Sequence, residues 1–246
     1  MTHKFWKMLD IVANTRYYLQ TGERRNCTYI ENMDVKLENG KTIKISEGKI
    51  DEWIEYVNQQ HISDIYFIGG FKDIYDTVEK QYHPDWKIYC ISQKKQNTRI
   101  FELRTYLKGY MMGWEEILEE RGKVPRVILN KSWKDTSDDF RRELIRQMEY
   151  EVKKYPQYDS FFRNSIRILD GDYTRKEIDT AVRENSVILP PTYSEKAQRI
   201  MDTLKATQVF HGMGNWGDGE APKEMIEELY KQYMLAALWA INEGDK

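Results

Sequence analysis

The sequence predicts a single α/β domain with a mixed, mainly parallel β-sheet, helices on both faces, an N-terminal β-hairpin and a buried C-terminal helix. Three observations predict it. Short apolar runs alternate with helical stretches from Ile65 onward, the order expected of a sheet covered by crossover helices. Residues 33–45 alternate apolar and polar side chains, which indicates paired strands. The unbroken apolar run from Tyr233 to Ile241 is typical of a helix packed on several sides. No linker divides residues 1–246.

The first sixty residues predict a helix, a hairpin and a second helix. Residues 4–20 carry apolar side chains at helical spacing, and Gly22 is placed to end that helix. In the hairpin, Asn39-Gly40 is the pair typical of a type I′ turn. From Ile50 apolar residues again recur three and four positions apart, which predicts the second helix.

The middle of the chain predicts three short strands and three helices, the first of which follows Gly70 and runs to about Gln81. The runs 65–68 and 88–91 are apolar and β-branched, as buried strands are. A helix over 98–120 is predicted by one apolar stripe, made by Ile100, Leu103, Leu107, Tyr110, Met111, Trp114 and Leu118. After a strand at 127–129, a capping box at Thr136 opens a helix that must stop before Pro156.

The last third predicts two more strands and three more helices. The strands are 166–169 and 187–189. Capping boxes at Thr174…Glu177 and Thr192…Glu195 open two of the helices. The third is the C-terminal helix.

Composition narrows the function classes. The 38 basic and 40 acidic side chains nearly cancel, so the chain lacks the charge of a nucleic-acid-binding domain. Cys27 and Cys90 match neither a disulfide framework nor a metal motif. No signal peptide is evident, and the longest apolar run, nine residues, is far shorter than the roughly twenty that span a bilayer. We expect a soluble cytoplasmic protein that does not bind membranes or nucleic acids.

A glycine-rich aromatic loop at 210–220 is the first candidate site. Its candidate binding residues are His211, Gly212, Met213, Gly214, Asn215 and Trp216. In one interpretation the loop is a tight connection, in which glycines supply positive φ and Asp218 caps the final helix. In the other, polar side chains face a cleft and Trp216 is a stacking wall.

Residues 206–243 resemble the C-terminus of a group of uncharacterised bacterial proteins that end in a pattern close to F-G-G-M-G-S-W-N-D. The chain keeps Met213, Gly214, Trp216 and Asp218 of that pattern. The resemblance implies a bacterial protein in which the loop and the last helix form one structural unit. It implies no activity.

Asp170-Gly171-Asp172 is the second candidate site, at the end of the predicted strand 166–169. Two carboxylates so close together can share Mg²⁺, which prefers oxygen ligands. The run that continues to Thr174 is similar to the first motif of the haloacid-dehalogenase superfamily. That resemblance implies Asp170 as nucleophile, Asp172 as general acid and Asp218 as a metal ligand. However, the 48 positions between Asp170 and Asp218 are too few for the intervening elements of that fold.

Two functional hypotheses follow. The first is a bacterial protein- or ligand-binding protein of the immunity or defence type, whose partner is another protein. The alternative is a magnesium-dependent hydrolase or phosphotransferase, with Asp170 and Asp172 catalytic and the metal held by Asp170, Asp172 and Asp218. The sequence leaves open whether the protein is an enzyme.

Overall fold

The computed structural model describes residues 2–68, 87–107, 114–125, 137–174, 176–177, 187–206, 236–242 and 244. The chain divides into two compact units. The sheet unit comprises His3–Lys131 and Leu189–Pro191, and the helical unit comprises Met1–Thr2, Ser132–Ile188 and Thr192–Lys246. That the whole chain is one domain stays a prediction.

In the part of the sheet unit that the structure describes there are two helices and a six-stranded sheet. Its elements are α1 (Thr2–Thr21), β1 (Asn32–Lys36), β2 (Thr42–Ser46), α2 (Asp51–Gln59), β3 (Asp64–Ile68), β4 (Lys87–Ser92), β5 (Asn97–Leu107) and β6 (Trp114–Pro125). The strand order is β2-β1-β6-β5-β4-β3. Only the β1–β6 pair among these described strands is parallel, and the other four pairs are antiparallel. The α/β class is therefore correct, whereas the predicted mainly parallel sheet is wrong. Helices on both faces stay a prediction.

The predicted helix over 98–120 is also wrong, because these residues contribute to the antiparallel strands β5 and β6. The register of the two strands shifts once, between Ile100 and Phe101. The stripe that predicts a helix does not form one buried face, because Leu103 and Leu118 are buried whereas Leu107 is 59% exposed. Strands β4, β5 and β6 pair antiparallel in chain order.

The hairpin of β1 and β2 places Met33 opposite Ile45 and Val35 opposite Ile43. Its turn is closed by the Gly40 N–H, which donates to the Leu37 carbonyl at 2.9 Å. Gly40 has φ +83°, but the described non-glycine residues with positive φ are Glu47, His61 and Gln96, and not Asn39. A type I′ turn needs positive φ at both central residues, so that detail of the prediction is wrong.

Helices α1 and α2 contribute the largest buried side chains of the sheet unit. Trp53 of α2 meets Phe101 of β5 edge-to-face, with ring centroids 5.2 Å apart. Lys7 of α1 forms a 2.6 Å ion pair with Glu116 of β6. Both helices therefore contact the sheet directly, as the apolar faces predicted in the sequence require.

Asp10 of α1 is a buried carboxylate that holds the following loop. Its Oδ2 accepts hydrogen bonds from the backbone N–H groups of Tyr29 at 2.6 Å and Ile30 at 3.3 Å. Its Oδ1 accepts from Asn14 Nδ2 at 2.8 Å. Burial raises the pKa of Asp10 to about 6, although these hydrogen bonds act in the opposite direction. The buried thiol of Cys27 lies beside it, and its pKa is raised by burial and by the Asp10 charge.

The helical unit contains α3 (Ser137–Lys154), a 3₁₀ turn (Pro156–Tyr158), α4 (Asp159–Leu169), α5 (Glu195–Ala206) and a helical segment at 236–242. Helix α3 ends before Pro156, as predicted. The predicted strand at 166–169 is wrong, because these residues are the last turn of α4. Residues 187–189 form no strand either.

Helix α5 begins later than predicted. Ser194 is the capping residue, since its Oγ accepts the Ala197 N–H at 3.1 Å, and the predicted cap at Thr192 is wrong. The apolar side chains of 236–242 are largely buried, in agreement with the predicted C-terminal helix. Tyr193 fixes this segment through a 2.9 Å hydrogen bond from its hydroxyl to the Ile241 carbonyl.

Several predicted elements lie outside the described residues. They are the helix after Gly70, the strand at 127–129, most of the helix opened by Thr174, and the start of the C-terminal helix. Among the helices that the structure describes, none is long and apolar enough to cross a membrane.

Candidate functional site

The helical unit encloses a cavity of about 330 Å³. Helices α3, α4 and α5, the turn after α4 and the C-terminal segment contribute its described lining, which consists of Leu144, Ile168, Leu169, Gly171, Tyr173, Lys196, Arg199, Ile200, Thr203, Leu204 and Ala236. Most of these residues are apolar and buried. The volume lies at the lower end of the roughly 300–1,000 Å³ of small-molecule pockets.

One stripe of α5 supplies much of the lining. Lys196, Arg199, Ile200, Thr203 and Leu204 recur three and four positions apart, so they share one face of the helix. Ile200 and Leu204 are buried, whereas Lys196 is half-buried and Arg199 is exposed. The stripe is therefore cationic toward the N-terminal end of α5 and apolar toward its C-terminal end. We call the part of the cavity beside Lys196 and Arg199 its mouth.

The Asp170-Gly171-Asp172 turn forms part of the mouth. Asp170 is the C-cap of α4, and the next two residues close the helix end with backbone hydrogen bonds. The Gly171 N–H donates to the Ile168 carbonyl at 3.1 Å, and the Asp172 N–H to the Arg167 carbonyl at 3.0 Å. With Gly171 at φ +93°, this is a Schellman motif. The predicted location at the end of a strand is wrong.

Arg167 and Glu177 hold the next residues in place. The predicted capping box is present, because Glu177 Oε2 accepts the Thr174 N–H at 2.6 Å and Thr174 Oγ1 accepts the Glu177 N–H at 3.2 Å. The Arg167 guanidinium donates both to Glu177 and to the Asp172 carbonyl. The Thr174 N–H, the Arg167 guanidinium and the Thr174 hydroxyl together lower the pKa of Glu177 to about 2. Tyr173 is thereby held between two fixed turns, where it lines the cavity.

The structure describes only two of the three predicted metal ligands. Asp170 and Asp172 are exposed at the same turn. Asp218 and the candidate binding residues His211, Gly212, Met213, Gly214, Asn215 and Trp216 lie outside the described residues. Within the described ranges, no group of three or more His, Cys, Asp or Glu side chains could hold a metal ion. The catalytic and metal-binding assignments stay predictions.

Lys196 and Arg199 belong to neither candidate site predicted from the sequence, although the spacing of Lys196, Ile200 and Leu204 contains a usable signal. That signal is a helical stripe with cations at one end and apolar residues at the other. Other walls of the cavity come from α3 and α4. No local sequence pattern relates these two helices to α5.

Comparison with known proteins leaves the site to be interpreted from its geometry. No protein-family model, curated protein or solved structure matches the chain.

Proposed function

We propose that this chain is a ligand-binding protein whose helical unit takes up a small amphipathic acid. The observation that carries the proposal is the union, in one cavity, of apolar walls with two cationic side chains on a single helix face. Pockets for small molecules combine mainly apolar linings with a few polar groups that fix orientation.

The walls argue for an apolar ligand body. Leu144, Ile168, Leu169 and Leu204 come from three helices and are almost completely buried. An apolar chain that enters between them gains about 25 cal/mol for each Å² of apolar surface that it removes from water.

The mouth argues for a negative charge at the other end of the ligand. Lys196 and Arg199 lie one helical turn apart, so both can contact one carboxylate or phosphate group. A guanidinium can bind such a group through two parallel hydrogen bonds. Tyr173, another lining residue, has a hydroxyl that can donate a hydrogen bond to an acid group.

This role is one form of the binding function that the sequence predicts. A bacterial immunity or defence role remains part of the proposal, and a magnesium-dependent hydrolase remains its alternative. Uptake of an amphipathic acid requires neither a metal nor a catalytic carboxylate.

The test is isothermal titration with straight-chain carboxylic acids of six to twelve carbons, the alcohols of the same lengths, and acetate. We expect the acids to bind, the alcohols to bind at least about tenfold more weakly, and acetate not to bind. The reason is that the apolar chain and the acid group each contribute to the binding free energy. Arg199→Gln and Lys196→Gln should each weaken acid binding. Ala236→Leu, which extends a buried lining residue into the cavity, should abolish it.

Arg163→Gln is the matched control, because Arg163 is an exposed arginine on α4 that does not line the cavity. It should bind like the wild type. Equal affinity for acids and alcohols would contradict the proposed binding of the acid group by Lys196 and Arg199. Failure of every acid to bind would overturn the proposal.

A further inference from the structure

A cluster of positive side chains lies in the sheet unit, apart from the cavity residues. We call it the basic patch: Lys94, Lys95, Arg99 and Lys123. The turn at 93–96 between β4 and β5 carries two of its lysines, and Arg99 of β5 lies opposite Lys123 of β6 in the sheet register. The sequence shows only Lys94-Lys95 as a pair, and the other members meet it through strand pairing.

Two of these cations converge on one neutral oxygen. Gln60 Oε1 accepts from Lys95 Nζ at 2.8 Å and from Arg99 Nη2 at 2.7 Å. Lys95 Nζ also donates to the Gln59 carbonyl at 3.0 Å, at the C-terminal end of α2. Desolvation and the charges of Arg99, Lys94 and Lys123 lower the pKa of Lys95, as expected where like charges are close.

Within the described residues, Arg99 is the member of the patch that is paired with a carboxylate. Glu120 pairs with Arg99, and its side chain is only 2% exposed. The same carboxylate also accepts the Tyr56 hydroxyl at 3.2 Å and the Glu38 N–H at 3.1 Å. Among the residues that the structure describes, no carboxylate lies within 4.0 Å of the amino groups of Lys94, Lys95 or Lys123.

In a second charged cluster of the same sheet, every cation is paired with a carboxylate. Glu102 pairs with Arg104 at 2.7 Å, Arg121 at 3.4 Å and Lys87 at 3.5 Å, and Arg121 also pairs with Glu119 at 3.2 Å. The basic patch, with four cations and the single carboxylate of Glu120, has the larger local excess of positive charge, in a chain whose net charge is −2.

We propose that the basic patch docks an acidic segment of a protein partner. Exposed lysines around a fixed arginine fit a segment with several Asp and Glu side chains, because such complementarity steers and orients association. A single-stranded nucleic acid fits less well, since its recognition uses aromatic stacking surfaces. The aromatic ring in contact with the patch, Tyr56, is buried.

The experiment measures the fluorescence anisotropy of two labelled probes at 20, 150 and 500 mM salt. One probe is a twelve-residue peptide of alternating Glu and Ser, and the other is a dT₁₂ oligonucleotide. We expect the peptide to bind at low salt and to weaken as salt increases. The triple variant Lys94→Gln, Lys95→Gln and Lys123→Gln should bind the peptide at least about tenfold more weakly.

The control triple variant is Lys153→Gln, Lys154→Gln and Arg163→Gln, which loses the same charge from exposed positions of the helical unit. It should bind the peptide within about twofold of the wild type. Three results would each overturn the proposal: no peptide binding at 20 mM salt, equal losses in the two triple variants, or tighter patch-dependent binding of the oligonucleotide. None depends on the cavity ligand.

Discussion

Trp53 of α2 is hydrogen-bonded to Thr15 of α1: its indole Nε1 donates to Thr15 Oγ1 at 2.9 Å. The same hydroxyl donates in turn to the Ile11 carbonyl at 2.6 Å. Trp53 and Thr15 are both fully buried. The Thr15 hydroxyl therefore provides the buried indole N–H of Trp53 with its hydrogen-bond acceptor.

Thr15→Val should destabilise the protein. Valine keeps the shape of threonine but leaves the Trp53 N–H without its acceptor, which costs about 1–3 kcal/mol when the donor is buried. Thr15→Ser, which keeps the hydroxyl, should cost less. The free energy of unfolding in urea measures both, and a valine variant as stable as the wild type would contradict the role of this hydrogen bond.

The buried carboxyl of Asp10 should make stability fall as pH rises. Its pKa is about 6 in the folded protein and 3.8 without the protein environment, so the folded state binds this proton more tightly. The penalty for ionised Asp10 is absent below about pH 4 and is fully present above about pH 6, where it amounts to about 3 kcal/mol.

Asp10→Asn isolates this effect, because asparagine stays neutral. Between pH 4 and 7, the stability of the variant should rise relative to the wild type by about 3 kcal/mol. Taking the difference cancels carboxylates such as Glu177, whose lowered pKa acts in the opposite direction. A difference that does not change with pH would show that Asp10 does not titrate in this range.

Gly48→Ala should be much more costly than Gly40→Ala. Both glycines have positive φ, but a Cβ at Gly48 would lie 2.5 Å from the Cys27 carbonyl oxygen, whereas nothing lies within 4 Å of a Cβ at Gly40. We expect about 1–2 kcal/mol at Gly40 from backbone strain alone, and more at Gly48, where the loop must also move. Equal losses of unfolding free energy would contradict the close approach.

Asp170 and Asp159, at opposite ends of α4, should respond oppositely to neutralisation. A negative charge is unfavourable at a helix C-terminus and favourable at its N-terminus. In EDTA, Asp170→Asn should raise the stability by about 0.5 kcal/mol and Asp159→Asn should lower it by a similar amount.

The magnesium hypothesis adds a further test: Mg²⁺ should raise the melting temperature of the wild type but not of Asp170→Asn. No effect of Mg²⁺ on either would count against it.

Local sequence patterns correctly predict the elements in which apolar residues recur at a regular helix or strand spacing. Helices α1, α2 and α3 and strands β3 and β4 occur where the sequence predicts them. The failures have local causes as well. Ile100, Leu103 and Leu107 recur at helical spacing although they lie in strand β5, and the β-branched Ile166 and Ile168 suggested a strand in the last turn of α4.

The candidate site was less predictable, because its lining comes from separate helices. The sequence drew attention to Asp170 and Asp172 by their spacing, and the structure places them in the turn that carries Gly171 and Tyr173 to the cavity. Their chemical role rested on a strand that is absent. The basic patch was equally hidden, since Arg99 and Lys123 meet only through the antiparallel pairing of β5 and β6.

The parallel pairing of β1 with β6 constrains the order in which the chain can fold. Asp34 lies opposite Ile117, so the N-terminal hairpin has an open edge until a segment about eighty residues further on has been synthesised. Pairings between such distant segments slow folding, and unpaired edges favour aggregation in the meantime. We therefore expect the hairpin to pair with β6 only after β6 has been synthesised, and a truncation before β6 to leave that edge of β1 without its partner strand.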